Sequence, residues 1–106
     1  MTANALTLTG RLTTKPERTN VGMVSFTLEH ADAWHRKDGL PETSHFGVTC
    51  VAWGHAASSI AKYGYTGLEV LVHGRLSRFG GSGGVGVLVD SVSYPRVSQL
   101  GRANDQ

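Results

Sequence analysis

Trp34 lies in the polar run EHADAWHRKDG, with Arg36 and Lys37 close behind it. An indole left in water beside two cations gains by meeting a flat partner. A nucleobase can stack on its face while the cations reach phosphates, and each base stacked on an aromatic side chain contributes roughly 1–3 kcal/mol. The alternative is that Trp34 folds back as a lid over an apolar interior, as the high average burial of Trp allows. Alternation places Trp53 more closely. Val48, Cys50 and Ala52 are small and apolar and turn inward, which sends Thr49, Val51 and Trp53 to the opposite face. A large aromatic among smaller outward residues is a stacking platform. Alternatively it covers the helix or a subunit contact, where Trp is also favoured. Phe46 has the inward parity of Val48 and is the weaker candidate, while Tyr63 and Tyr65, either side of Gly64, read as packing residues.

The same segment that holds Trp53, CVAWGHAASSIAKYGYTGLEVLVHGRL (residues 50–76), ends in Arg75 and so puts a Trp and an Arg on neighbouring strands. Leu71, His73, Arg75 and Ser77 form the outward set there, with Arg78 just beyond. Arg11, Lys15 and Arg18 add cations near the N-terminus. Together they could line a groove that follows a phosphate backbone. Singly, each reads equally well as a solvated surface charge.

Other chemistries find little support. The glycine-rich run FGGSGGVG (residues 79–86) lacks the Lys-Ser/Thr ending of a phosphate-binding loop and opens no helix. The five His show no HxxxH or HExxH spacing, and one Cys makes no structural zinc site. Ser58 and Ser59 have no nucleophile-elbow context. A non-catalytic protein without metal or cofactor is expected.

The positioning elements follow from period-2 alternation. Leu6, Leu8 and Leu12 oppose Thr7, Thr9 and Arg11 in a first strand; Lys15-Pro16-Glu17 and Asn20-Val21-Gly22 form a turn; Val24, Phe26 and Leu28 continue a second strand to about His30. Residues 31–44 read as a long polar loop or hairpin tip, and residues 46–53 as the third strand. Ala56, Ala57, Ile60, Ala61 and Tyr63 fit one short helix. The fourth strand spans residues 68–77, with Leu68, Val70, Val72 and Leu76 inward, and the fifth spans residues 87–94. The fold class expected is all-β: an OB-fold, a five-stranded Greek-key barrel with one short helix between strands 3 and 4. It would occupy residues 1–95, with residues 96–106 a short polar, disordered tail. At 106 residues the chain suits one domain, and a net charge of +2 neither announces nor excludes a nucleic-acid partner. A lone Cys50, no signal-peptide pattern and no membrane-length apolar run point to a cytoplasmic protein.

Taken together, NALTLTGRLTTKPE, VSFTLEHADAW and VAWGHAASSIAKYGYTGLEVLVHGRL resemble the bacterial single-stranded DNA-binding protein family and its shorter relative, primosomal replication protein N. The resemblance spans about residues 4–94. It implies that Trp34 is the family's base-stacking loop aromatic and Trp53 the stacking aromatic before the third-strand Gly. Phe46 falls one residue out of register with a third aromatic. The fourth has no counterpart, since Gly80 and Gly81 stand there and Phe79 is the nearest substitute. Phosphate contacts would come from Arg11, Lys15, Arg18, Arg36, Lys37, Arg75 and Arg78. The chain ends in GRANDQ, without the family's acidic tail, so tail-mediated recruitment is not expected. Length and FTLEH resemble the primosomal branch, AWG and HGRL the other. The implied function is largely sequence-independent single-stranded DNA binding in replication, recombination or repair, by a homo-oligomer, tetramer before dimer. The alternatives are a replication-restart adaptor that mainly contacts a helicase or loader, and an OB-fold that binds sugar or only protein.

Overall fold

The computed structural model describes residues 3–20, 22–79 and 84–95. Its elements are β1 (Leu6–Leu12), β2 (Glu17–Asn20), β3 (Met23–His35), β4 (Pro41–Trp53), α1 (Gly54–Tyr63), β5 (Glu69–Phe79) and β6 (Gly84–Ser93). Five of the strands close a ring in the order β1-β5-β6-β4-β3, and β1 returns to β3 through Arg11 opposite Glu29 and Leu12 opposite Leu28. The neighbours are antiparallel except β4 and β6, which run parallel where Cys50–Ala52 meet Val87–Val89. This is the OB-fold, with α1 between the third and fourth barrel strands.

Alternation builds the core. Val24, Phe26 and Leu28 on β3, Cys50 and Ala52 on β4, Val70 and Val72 on β5, and Val87 and Val89 on β6 are buried. The helix adds Ala56, Ala57 and Ile60 from one face, and the amide of Gly64 closes it by donating to the Ile60 carbonyl at 2.8 Å. Each large aliphatic side chain sealed in this way stabilises the fold by about 1.5–3 kcal/mol. Gly74 sits where β5 shifts register against β6. A side chain there would collide with the Leu88 carbonyl, which gives the Gly of HGRL its physical reason. Asn4 extends the β1–β5 ladder with its side chain: its Nδ2 donates to the Leu76 carbonyl at 2.8 Å, and the Leu76 amide donates to its Oδ1 at 2.9 Å.

Four expectations from the sequence change. Residues 17–20, read as turn, form a sixth, short strand paired with β3 outside the ring; its hold is backbone pairing, and the polar string ERTN shows no apolar alternation. Residues 31–44 are mostly strand: β3 and β4 stay paired from Met23–Trp53 to His35–Pro41, in one unbroken register. Gly84, Val85 and Gly86, read as loop, begin β6. Leu76, read as core, is 50% exposed because β5 runs past the end of the barrel there. The tail from residue 96 lies outside the described residues. Among those described, no helix is long and apolar enough to cross a membrane.

Candidate nucleic-acid interface

Trp53 ends β4 and is the residue before α1. Its backbone is extended, and Gly54 then turns with φ +59°, a left-handed conformation that side chains disfavour. One residue thus converts strand into helix and leaves the indole on the outer face, 48% exposed. Register completes this face. Met23 stands opposite Trp53 and Ser25 opposite Val51; Val51 lies beside Leu88, and Leu88 opposite Arg75. Trp53 and Arg75 therefore share an outer face but not adjacent strands, since β6 lies between β4 and β5. The sequence order of strands had suggested neighbours; the Greek-key path inserts the last strand between them.

Two further cations line recesses beside β3, β4 and α1. Arg18 lines a recess with Gly22, Val24, Gly54, Ala57 and Ser58 at the start of α1. Lys15 lines another with Thr14, Glu17, Ser25, Phe26, Thr27 and Thr49. Thr49, Ser25 and Thr27 have the outward parity of Trp53, so this face combines an indole, hydroxyls and cations.

Trp34 lies elsewhere. It is in β3, opposite Glu42, and is 45% exposed, so it forms no lid on the barrel. Glu42 and Trp53 are eleven residues apart on β4, an odd number, which puts the two indoles on opposite local faces of the ribbon. The separation is about 36 Å along the strand. Trp34 instead shares the inward parity of Phe26 and Leu28, in a part of the ribbon that has left the barrel.

Phe46 follows the same rule. It keeps the inward parity that the sequence indicated, yet it is 47% exposed because the core ends near Val48. Its ring packs at 55° on His30, 5.2 Å between centroids, and His30 is held by its Nδ1–H donating to the Thr9 carbonyl at 2.6 Å. Because β4 and β6 are parallel, the β3–β4 and β5–β6 hairpins leave the barrel at the same end. Each carries inward-facing residues past the last core layer: Trp34 and Phe46 on one, Leu76, Val85 and Arg78 on the other, with Arg78 opposite Val85. Phe79 pairs with Gly84 at the end of β5; its side chain lies outside the described residues.

The β3–β4 arm is not the basic element that Arg36 and Lys37 suggested. Residues 29–45 hold four carboxylates (Glu29, Asp32, Asp38, Glu42) against those two cations, a net −2 with His neutral. At its tip Arg36 Nη2 is 3.3 Å from Asp38 Oδ2, an exposed ion pair of the kind worth about 0–1 kcal/mol. Asp38 Oδ1 also accepts from the Leu40 amide at 3.1 Å. Arg11 donates to the Gly67 carbonyl at 3.2 Å and shares a recess with Glu29, His45 and Glu69, where His45 Nδ1 is 3.4 Å from Glu29 Oε1. Among the described residues, the seven candidate cations thus form no single groove. Lys15, Arg18 and Arg75 lie on or beside the Trp53 face; Arg36, Lys37 and Arg78 belong to the arms; Arg11 stands opposite Glu29 and Glu69. Asp32, Asp38 and Glu42 are the acidic neighbours of the candidate residues Trp34 and Arg36 that the sequence reading passed over. Their spacing around Trp34 becomes a signal only once residues 31–44 are read as paired strands.

Burial pushes the Cys50 thiol up to about 12. Ser59 shares a 2.6 Å hydrogen bond with the Tyr94 hydroxyl, and burial pushes the Tyr94 pKa up despite that bond. Tyr63 meets Tyr94 edge-on at 5.8 Å.

A protein-family model described as the single-strand binding protein family matches residues 3–80. Among solved structures, a Plasmodium falciparum SSB in complex with single-stranded DNA superposes with a TM-score of 0.70 at 17% identity, over 88% of this chain and 93% of that one. A small single-stranded DNA-binding protein from Streptomyces coelicolor gives 0.69 at 19% identity, over 92% and 97%. The wild-type single-stranded DNA binding protein from Thermus aquaticus gives 0.71 at 22% identity, over 86% of this chain but only 49% of that one. Comparison with curated proteins gives no match.

Proposed function

Because the chain belongs to the single-strand binding protein family, we propose that its outer face at Trp53 is where it binds single-stranded DNA. The observation that carries this reading is the shared face on which an exposed indole, a row of hydroxyls and Arg75 lie together by strand register. Bases stack on Trp53, and Lys15, Arg18 and Arg75 meet phosphates. The strand then passes to the hairpin arms, where Phe46 and Trp34 offer further aromatic surface and Lys37 and Arg78 further charge. Arg36 joins on leaving Asp38. Binding of this kind weakens steeply with salt, because each phosphate contact releases counterions. It involves no catalytic step, and it suits the strands exposed in replication, recombination or repair.

Copies of the chain are proposed to associate. Leu6–Gly10 of β1 pair with β5 along one edge, and a strand with an unpaired edge is a template for another chain. A tetramer is expected before a dimer, and light scattering decides the count.

Quenching of tryptophan fluorescence by oligo-dT tests the DNA reading. Saturable quenching that retreats as salt rises is expected; no quenching at low salt overturns it.

A further inference from the structure

Glu42 is the direct cross-strand partner of Trp34. Residues so placed on one face of an antiparallel pair have Cβ atoms about 4.5–5.5 Å apart, so its carboxylate lies beside any base stacked on the indole. Among the described residues Glu42 makes no ion pair, and the arm's Arg36 is taken by Asp38. An ionised carboxylate only accepts hydrogen bonds. Cytosine offers it the two-proton N4 amino group, the donor that Glu and Asp recognise on that base, whereas thymine presents the O4 acceptor at the same position, which repels the carboxylate beside its single N3–H. A phosphate in that place is repelled as well.

We propose that Glu42 makes the Trp34 stacking position favour cytosine over thymine. This rests on the DNA-binding reading above. Asp32 supplies an internal control. It shares the face with Trp34 two residues along β3, where it adds negative charge without being Trp34's direct partner. Asp32 thus lowers affinity for every strand alike, while Glu42 separates one base from another.

The test uses the full chain with Trp53→Phe, so that Trp34 alone reports. Oligo-dC and oligo-dT of equal length are titrated at one ionic strength, with and without Glu42→Gln or Asp32→Asn. Glutamine offers both donor and acceptor and serves thymine as well as cytosine. Glu42→Gln is expected to lower the dC-to-dT affinity ratio roughly fivefold, and Asp32→Asn to tighten both oligomers with the ratio unchanged. An unchanged ratio in Glu42→Gln, or an equal shift in Asp32→Asn, overturns the assignment while leaving DNA binding intact. If neither oligomer quenches Trp34 here or either tryptophan in the unsubstituted chain, the underlying reading fails and the assignment with it.

Discussion

Trp53 and Trp34 are alike in type and in exposure, and they stand on the same β3–β4 ribbon, yet the chain supports them in opposite ways. Trp53 rests on the closed barrel. Its strand is paired on both sides near Cys50–Ala52, its backbone is set by the Gly54 turn, and Arg18 lines the recess at Gly54. Trp34 stands on a two-stranded arm beyond the core, between Asp32 and Glu42, near an arginine paired at the surface with Asp38. An exposed aromatic on a fixed element is preorganised for stacking, whereas one on a free ribbon must be ordered by the ligand. Exposure alone does not rank two candidate contacts; the support beneath them does.

That contrast breaks most directly at the indoles. Trp53→Ala is expected to weaken oligo-dT binding by about 2 kcal/mol, near thirtyfold, measured by anisotropy of a labelled oligomer. Gly54→Ala comes next: the left-handed turn costs a side chain about 1–2 kcal/mol, seen as a lower thermal midpoint, and shifting the Trp53 platform weakens binding too. Trp34→Ala should cost about 1 kcal/mol. If it costs more than Trp53→Ala, the ranking is wrong and the arm is the main site.

Charge sharpens the same comparison at smaller scale. Arg75→Ala should lower the salt-dependence slope by about 0.7, one phosphate on a single strand. Arg36→Ala should lower it by less, because Asp38 already holds its charge. The smallest effect concerns the barrel beneath Trp53. The Cys50 thiol is pushed up to about 12 in the fold, against about 8.5 in an unfolded chain. Above about pH 8.5 the unfolded chain releases its proton first, so this thiol's contribution is intact below that pH and is lost as pH rises toward 12. Denaturant midpoints at pH 7 and 10, compared with Cys50→Ala, should show the wild type losing more.

Much of this is legible in the sequence. The alternation of Val24, Phe26 and Leu28 and of Val48, Cys50 and Ala52 marks barrel strands, since a residue facing a core must be apolar. The 3.6-residue spacing of Ala56, Ala57 and Ile60 marks the helix for the same reason, and the outward parity of Trp53 follows from its neighbours. Residues 17–20 and 31–44 were illegible because backbone pairing alone makes them strands; with no core to face, alternation carries no message. Phe46 and Leu76 mislead for a related reason. Parity reports which face a residue is on, and the end of the barrel decides whether that face is covered.

From the sequence alone come the family, the barrel strands, the helix and the outward Trp53, all consequences of local periodicity and of the resemblance its motifs carry. Tertiary structure decided the rest. It put β6 between Trp53 and Arg75, separated the two tryptophans onto opposite faces, brought the two hairpins out at one end of the barrel, and set Glu42 against Trp34. These depend on which distant strands pair and in what register. That is chosen by the closure of the whole sheet, and no short window of residues contains it.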